Sequence, residues 1–445
     1  MKWWLGAGAL LLAALILESG LLAYAMYVLL AIMLVSRLLA RSWVTHVHAK
    51  RSFLEPTAEI GDDVRVLVRV KNSGFLPVPW ILLEDLLPAQ ALSQRPPRLK
   101  VKGKRIQLKL LRPSAEITVK YHLHCLMRGY HQIGPLLLES GDLFGLHRRY
   151  RIDAPPSYLL VYPRVVGLQG YDLASRRPIG DVQLVHRLFE DPTRNAGVRP
   201  YQPGDPLNRV HWRATARTGT LHSKIYEPST LAGATFVLDF HRGSYPKRGE
   251  PHRSELAVTT TISLANAVFE LGQQIGLVSN GRDAAERIRV EGWDKEYRTR
   301  TGAKRQTAML KVSERLEPMI VETRRGAEQF QRIRETLARL ELTEGLTFAE
   351  LILETSSRLP RDATVVCVLA EALEETAFAL GNLRRSGFAV SVIFIWPDES
   401  TLETSYGRLL SESIRDIRIL KTEAELPELC QQQVGRATPY QLEMR

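Results

Sequence analysis

The sequence predicts a membrane-anchored protein of three parts: two N-terminal transmembrane helices, a small all-β sandwich and a C-terminal α/β doubly wound domain. Apolar residues are concentrated before position 43, short alternating runs occupy 54–162, and continuous apolar runs separated by helical segments extend over 233–445. A chain of 445 residues is too long for one ordinary core. The connecting segment, 163–232, is rich in proline, glycine and charged residues.

The first 43 residues are predicted to form a transmembrane helical hairpin. Leu21–Leu39 is long enough to cross a hydrocarbon core of about 30 Å, and Trp3–Leu17 reaches across it with help from its flanks. The polar turn Glu18–Gly20 separates these two runs. Because no small-residue cleavage site lies between them, we expect the segment to be retained rather than removed as a signal peptide.

Basic residues predict the orientation of this hairpin. Lys2 precedes the first span, and the turn between the spans contributes only the negative charge of Glu18. Four basic residues end or follow the second span: Arg37, Arg41, Lys50 and Arg51. The positive-inside rule therefore places both ends, and with them the soluble domains, in the cytoplasm. Three cysteines without CxxC spacing agree with a reducing compartment: Cys125, Cys367 and Cys430.

The net charge of +12 raises the question of an anionic partner. Aromatic content is only 7% and no nucleic-acid-binding module is recognisable, so nucleic acid is not expected. Basic residues are dense between Arg95 and Arg151. Two interpretations stay open for this surface: it contacts anionic lipid at the cytoplasmic face of the membrane, or it is simply solvated.

Alternating strands predict the sandwich. Apolar side chains recur at every second position in three runs: Val64, Val66, Val68 and Val70; Ile106, Leu108 and Leu110; and Ile117, Val119, Tyr121, Leu123 and Cys125. Proline and glycine lie between the runs, as in an antiparallel sandwich. His122, His124 and His131 could suggest a metal, but no third and fourth ligand is placed to complete a site. They are interpreted as structural or solvated histidines.

Continuous apolar runs predict an α/β sheet covered on both faces. These runs are 236–238, 275–278, 365–369 and 390–395, and the helical segments between them are 254–273, 326–342, 348–358 and 372–385. The charged stretch from Asp294 to Arg325 is interpreted as an insertion or exposed loop.

A short helix is predicted in the connecting segment. Asp205 is a good N-cap, and Gly219 can adopt the left-handed conformation that ends a helix. Arg209, Arg213 and Arg217 recur every four residues and so share one face, while Val210, Ala214 and the ring of Trp212 can turn inward. One interpretation is an ion-pair network with Glu190, Asp191, Asp205 and Glu227; the other is an open site for carboxylate or phosphate.

The same segment carries a family resemblance. Residues Tyr201–Leu221 follow the pattern Y-x-P-G-D-x-x-x-R-V-H-W-x-A-x-A-R-x-G-x-L, and Arg128–Pro135 (RGYHQIGP) and Asp142–Leu146 (DLFGL) precede it. These matches resemble the bacterial family called domain of unknown function 58 (DUF58). The resemblance implies an inner-membrane protein with a C-terminal domain similar to a von Willebrand factor A fold. It also implies work alongside MoxR-type AAA+ ATPases, and often transglutaminase-like membrane proteins, in assembly or envelope-related tasks.

The metal-binding form of the von Willebrand factor A fold carries Asp-x-Ser-x-Ser after its first strand. Here the corresponding residues are Asp239-Phe240-His241-Arg242-Gly243, so both serines are replaced, and Ala370-Glu371 follows the later strand in place of an aspartate. One carboxylate is too few for a magnesium cage. No metal or other cofactor is therefore expected, and Asp239 is interpreted as a degraded remnant or an ion-pair partner of Arg242.

Catalytic motifs are missing from the sequence: there is no GxSxG, no P-loop and no HExxH. An acid–base pair of Asp205 and His211 lacks a neighbouring nucleophile. We therefore expect a scaffold or adaptor that binds another protein, not an enzyme; the alternative is a phosphate- or anion-binding hydrolase built on Arg209–Arg217. The expected interaction residues are Tyr201, Gly204, Asp205, Arg209, His211, Trp212, Arg213, Arg217 and Gly219.

Overall fold

The computed structural model describes residues 2–53, 55–88, 91–92, 94–142, 147–168, 190–201, 210–228, 233–245, 249–291, 317–361 and 363–431. The chain divides into two compact units. The first comprises Met1–Tyr162 and Ala284–Lys311, and the second comprises Pro163–Asp283 and Val312–Arg445. Each unit has its own hydrophobic core.

Two apolar helices begin the first unit. Helix α1 spans Lys2–Ile16 and α2 spans Gly20–Thr45. With 26 residues, α2 is long and apolar enough to cross a membrane, whereas α1 is a shorter apolar helix. The two helices pack through a seam that includes the small residues Ala14 and Ala23. The larger apolar side chains on the other faces are exposed.

Short strands follow α2 and form a β-rich body. Their bounds are β1 Val47–Phe53, β2 Thr57–Glu59, β3 Asp63–Asn72, β4 Val78–Asp85, β5 Leu99–Gly103, β6 Ile106–Leu111, β7 Glu116–Cys125, β8 Gly129–Ile133, β9 Leu136–Gly141, β10 Arg148–Ala154 and β11 Ser157–Tyr162. In the described ranges, two antiparallel sheets have the orders β1-β3-β7-β5 and β10-β9-β4-β6, and a third has the order β2-β11-β8. The first two share one core, as the sequence predicts for a sandwich.

The alternation of side chains is confirmed in two of the three predicted runs. In β3 the valines face the core, and in β7 Val119, Tyr121 and Leu123 do the same. In β6 the expectation is wrong, because Ile106, Leu108 and Leu110 are exposed and Leu111 is the buried residue. Strand β6 lies at the edge of its sheet, and none of its first five residues is buried.

A buried ion pair holds the two sheets of the sandwich together. The guanidinium of Arg51 on β1 contacts the carboxylate of Asp85 on β4, and both side chains are almost fully buried. Tyr121 donates its hydroxyl hydrogen to the same carboxylate over 2.7 Å. Gly134 has a φ of 93°, and a Cβ there would lie 2.3 Å from an Arg51 nitrogen. The glycine of the RGYHQIGP string is therefore required to let Arg51 reach Asp85.

The remaining strands belong to the second unit. They are β12 Glu190–Pro200, β13 His222–Pro228, β14 Gly233–Leu238, β15 Gln274–Ser279, β16 Arg282–Asp283, β17 Met319–Arg324, β18 Leu340–Glu341, β19 Ala363–Leu369, β20 Val390–Ile395 and β21 Ile417–Leu420. The later helices are α3 Trp212–Thr218, α4 His252–Glu270, α5 Ala284–Glu291, α6 Ala327–Arg339, α7 Phe348–Thr355, α8 Glu374–Arg385 and α9 Glu399–Ser411. Of these helices, α5 lies in the first unit.

The predicted α/β sheet is present in the second unit. Within the described residues, its strand order is β17-β15-β14-β19-β20-β21, and each neighbouring pair is parallel except β17 with β15, which is antiparallel. Phe236 and Leu238 of β14 enter one core with α4 and α6, whereas Val237 enters a second core with α7 and α8. The sheet is thus covered on both faces, which explains its continuous apolar strands.

Strand β17 corrects the interpretation of the charged stretch that ends at Arg325. Met319–Arg324 forms the antiparallel edge strand of the sheet rather than part of an exposed loop. Its charged Glu322 and Arg324 are compatible with this position because one side of an edge strand remains in solvent. Residues 292–316 lie outside the described residues.

Candidate functional site

The signature segment is defined as residues Tyr201–Leu221. Its helix α3 ends as predicted: Gly219 has a φ of 73°, and its N–H donates to the Thr215 carbonyl over 2.9 Å. A left-handed glycine in this position satisfies a carbonyl that the helix would otherwise leave unpaired. Tyr201 holds the base of the segment through a backbone hydrogen bond of 2.8 Å from its N–H to the Leu221 carbonyl.

The start of α3 differs from the prediction. His211 occupies the N-cap position, and its Nδ1 accepts a hydrogen bond of 3.0 Å from the Ala214 N–H. The expectation that Asp205 caps this helix is wrong, because Val210 pairs with Ser223 in extended conformation before the helix begins. Gly204, Asp205 and Arg209 themselves lie outside the described residues.

Helix α3 exposes most of its side chains. Trp212 is 70% exposed, so the expectation that its ring turns inward is wrong, while Val210 is buried as predicted. Arg213 and Arg217 are exposed and lie four residues apart on one face. Neither arginine forms an ion pair with a residue that the structure describes. The side chains of the expected partners Glu190, Asp191, Asp205 and Glu227 lie outside that description.

The carboxyl edge of the α/β sheet is the second candidate region. Asp239 directly follows β14 and is 1% exposed. Its Oδ1 accepts a hydrogen bond of 3.1 Å from the His241 N–H and one of 3.0 Å from Asn280 Nδ2. Burial raises the pKa of the Asp239 carboxyl above its ordinary value, and the hydrogen bonds from Ser244 and Asn280 oppose this rise.

Asn280 connects the loops around Asp239. Its Oδ1 accepts from the Phe240 N–H over 2.6 Å, and its Nδ2 also donates to the Leu346 carbonyl over 2.9 Å. Sequence reasoning did not identify this residue. The available signal was a polar residue directly after buried strand β15, since the carboxyl ends of neighbouring parallel strands meet at one edge of a sheet.

The pairing expected between Asp239 and Arg242 is wrong. Arg242 instead forms an ion pair of 3.1 Å with Glu344, both side chains being partly exposed. Glu371, which follows β19, is half-buried. Among the described residues, no group of three or more His, Cys, Asp or Glu side chains is arranged to hold a metal ion. The carboxylate of Asp239 is used instead as an acceptor for protein donors.

The sandwich histidines occupy three different environments. His124 shares a hydrogen bond of 2.8 Å with Asp63, and His122 lies 3.4 Å from the Arg65 guanidinium. His131 is fully buried, and burial lowers the pKa of its imidazole to about 3. Burial also raises the pKa of the Cys125 thiol to about 12, so this thiol is a poor nucleophile near neutral pH.

Comparison with known proteins bears on the signature segment. Residues 197–299 match the model of the family described as "Protein of unknown function DUF58". The chain is also 26% identical over 296 residues to the uncharacterized protein YeaD of Bacillus subtilis strain 168, covering 63% of this chain and 71% of YeaD. These two matches support the DUF58 family. The DUF58 match includes α3, β14, Asp239 and Asn280, so both candidate regions fall within it.

Solved structures give only weak similarity. The CARDB domain of the PF1109 protein from Pyrococcus furiosus is 13% identical, with 26% of this chain and 91% of that chain covered and a TM-score of 0.18. Native alpha-2-macroglobulin from Escherichia coli is 15% identical, with 27% of this chain and 17% of that chain covered and a TM-score of 0.22. At these scores neither similarity bears on function.

Proposed function

We propose that this protein is a membrane-anchored scaffold or adaptor that binds a partner protein through the exposed face of α3. One observation supports this most directly: Trp212 projects into solvent beside Arg213 and Arg217, which have no ion-pair partner in the described chain. Tryptophan and arginine are the residues most enriched at the energetic centres of protein interfaces. An exposed tryptophan contributes little to folding, so a binding role accounts for its position better than a structural role.

The proposed partner is a MoxR-type AAA+ ATPase, with a transglutaminase-like membrane protein as a further component. The support is the family resemblance, since DUF58 proteins are expected to work alongside such ATPases. The mostly parallel α/β sheet is also compatible with the von Willebrand factor A-like domain that the family resemblance implies, a fold that commonly serves protein contacts. Asp239 is enclosed by protein donors, so we propose a contact that does not depend on a metal.

Membrane anchoring is the second element of the proposal. At 1.5 Å per residue, α2 is roughly 39 Å long, enough to cross a hydrocarbon core of about 30 Å. We propose that α1 crosses as well, so that the hairpin is embedded in the inner membrane with both ends in the cytoplasm. The charges that support this orientation are Lys2 before α1 and the basic residues at the end of α2.

The proposal does not include catalysis. An acid–base role for His211 with Asp205 is disfavoured because His211 Nδ1 is engaged with the Ala214 N–H as the helix cap. Asp239 likewise has its Oδ1 engaged by two donors. Neither group is therefore available as an unengaged base in the described structure.

Affinity purification of the intact protein in mild detergent tests the proposal. A AAA+ ATPase should be identified by mass spectrometry with the native protein and lost with Trp212→Ala and with Arg213→Ala/Arg217→Ala. The matched controls are Phe378→Ala, which removes an exposed aromatic ring from α8, and Arg358→Ala/Arg361→Ala, which removes two exposed arginines elsewhere. Equal recovery of the ATPase with all four variants would contradict the proposed binding face.

A second candidate is anion binding by a hydrolase that uses the same arginines. It is favoured by the four-residue spacing of Arg213 and Arg217, which suits contact with one phosphate group. Inorganic phosphate or nucleotides should then raise the thermal midpoint of the native protein but not of Arg213→Ala/Arg217→Ala. An unchanged midpoint over a millimolar range would remove this candidate.

A further inference from the structure

The turn between β3 and β4, residues Ser73–Pro77, lies beside the end of helix α2. The Ser73 hydroxyl donates to the His46 carbonyl over 2.7 Å, and the Ser73 N–H donates to the same carbonyl over 2.8 Å. The backbone passes so close that a Cβ on Gly74 would lie 3.0 Å from the His46 Cβ. This turn is therefore fixed to the residue that follows the apolar helix.

The tip of the turn is apolar and exposed. Phe75 is 97% exposed and Leu76 is 46% exposed. The buried Asn72 holds this conformation, because its side chain donates to the Leu76 carbonyl over 3.0 Å and accepts from the Gly74 N–H over 2.9 Å. Removing a phenylalanine side chain from water is favourable, so a rigid turn that keeps this ring in water needs an explanation.

Basic residues flank this turn, with Glu116 opposite Lys71 in the pairing of β3 with β7. Asn72 also donates to the Arg112 carbonyl over 3.2 Å, which places the β6–β7 turn, 112–115, next to the β3–β4 turn. Arg112, Lys71 and Arg41 of α2 are all exposed, and neither turn contains an acidic residue. Aromatic and aliphatic side chains flanked by basic residues are the usual composition of a surface that lies in the headgroup region of an anionic bilayer.

The junction between α2 and the sandwich is rigid. Arg151 on β10 donates to the Thr45 carbonyl at the end of α2 over 3.0 Å and also contacts Asp153. Trp43 of α2 packs in the sandwich core. Strand β1 begins at Val47, so no flexible linker separates helix from sandwich. The orientation of α2 therefore fixes the orientation of the β3–β4 turn.

We propose that the β3–β4 turn inserts Phe75 and Leu76 into the headgroup–acyl boundary of the bilayer that α2 crosses, while Arg41, Lys71 and Arg112 contact anionic headgroups. This inference rests on the membrane anchoring proposed above. It gives the sandwich a second attachment to the membrane, and so it restricts rotation of the first unit about the axis of α2. A lipid surface is favoured over a protein partner because the turn is continuous with a lipid-exposed helix.

Spin labels at single cysteines test the inference in the full-length protein. The background is Cys430→Ser, with the buried Cys125 and Cys367 retained, reconstituted in vesicles of equal parts phosphatidylcholine and phosphatidylglycerol. The test position is Phe75→Cys. Glu55→Cys is the aqueous control, because it is exposed and lies beyond the far end of β1, about 20 Å from Val47 at roughly 3.3 Å per residue. Val35→Cys, on the exposed face of α2, is the bilayer control.

Collision with molecular oxygen and with a water-soluble nickel chelate measures the depth of each label. We expect the oxygen-to-nickel ratio for Phe75→Cys to be several-fold higher than for Glu55→Cys and lower than for Val35→Cys. A ratio equal to that of Glu55→Cys, with Val35→Cys deep in the bilayer, would overturn the inference and leave the anchor intact. A shallow label in Val35→Cys would instead show that the proposed anchor fails. An immobilised Phe75→Cys label shielded from both reagents would also overturn it, in favour of a protein contact.

Discussion

Helix α3 and the carboxyl edge of the α/β sheet differ in the solvent exposure of their polar and aromatic side chains. At the carboxyl edge, Asp239 is buried, and its neighbour Asn280 joins the ends of β14 and β15 to Leu346, two residues before α7, through hydrogen bonds. On α3, Trp212 and Arg213 face solvent, and the helix buries none of its own side chains. The first arrangement stabilises the fold, whereas the second leaves groups available for another molecule.

The largest effect is expected from Asn280→Ala. The substitution leaves the Phe240 N–H and the Leu346 carbonyl without their partner and removes one donor from Asp239. Because each buried polar group left unpaired costs about 1–3 kcal/mol, we expect the free energy of unfolding to fall by about 3 kcal/mol. Denaturant unfolding of the purified protein measures this, with the exposed Asn382→Ala as control. Equal stability of both variants would show that the network around Asp239 is not structural.

A smaller loss is expected from Gly219→Ala. The left-handed conformation at Gly219 costs an alanine about 1 kcal/mol, so unfolding should become easier by that amount. Gly407→Ala is the matched control, since Gly407 lies inside α9 and an added Cβ would meet no atom within 4 Å, so alanine there should stabilise the protein by about 0.5–1 kcal/mol. Changes of the same sign in the free energies of unfolding of the two variants would contradict the assignment of Gly219 as the cap of α3.

The pH dependence of stability tests the burial of Asp239. Burial raises the pKa of this carboxyl in the folded state, so the folded protein favours the protonated form. Its contribution to stability is therefore fully present below the ordinary aspartate pKa of about 3.9 and is lost as the pH rises through the raised value. Asp239→Asn keeps an oxygen acceptor for Asn280 and should remove this loss. As the pH rises, the thermal midpoint of Asp239→Asn should increase relative to that of the native protein. A difference between the two midpoints that does not change with pH would contradict the assignment.

The smallest effect on stability is expected from Trp212→Ala. Because the ring is mostly exposed, the free energy of unfolding should change by no more than about 0.5 kcal/mol. The same thermal and denaturant measurements check this. A loss of about 2 kcal/mol or more, approaching the roughly 3–5 kcal/mol seen for buried tryptophans, would mean that Trp212 packs against the protein in solution.

The periodicity of apolar residues predicted most of the fold, because the burial of these side chains determines where the strands and helices lie. The alternating valines of β3 and the continuous apolar runs of β14 and β19 each have one arrangement that removes them from water. The prediction for strand β6 is wrong because alternation does not show whether either face of an edge strand is covered. Strand β17 was missed because its charged residues resemble those of a loop.

The candidate sites were harder to predict because hydrogen bonds across the fold determine them. Gly219 was predictable, since its conformation is set locally. The start of α3 was not, because the pairing of Val210 with Ser223 delays the helix and leaves its cap to His211. Arg242 lies three residues from Asp239 in sequence but pairs with Glu344, more than one hundred positions away. Local spacing contains no information about such a partner.

Site-specific photocrosslinking in living cells tests the central claim most directly. A benzophenone amino acid would replace Trp212 in one variant and Phe378, an exposed aromatic residue on α8, in the other. If α3 is the binding face, the Trp212 variant should form an adduct with a AAA+ ATPase, and the Phe378 variant should not. Equal adducts at both positions, or no protein adduct at Trp212 while the folded protein is present in the membrane, would contradict the account.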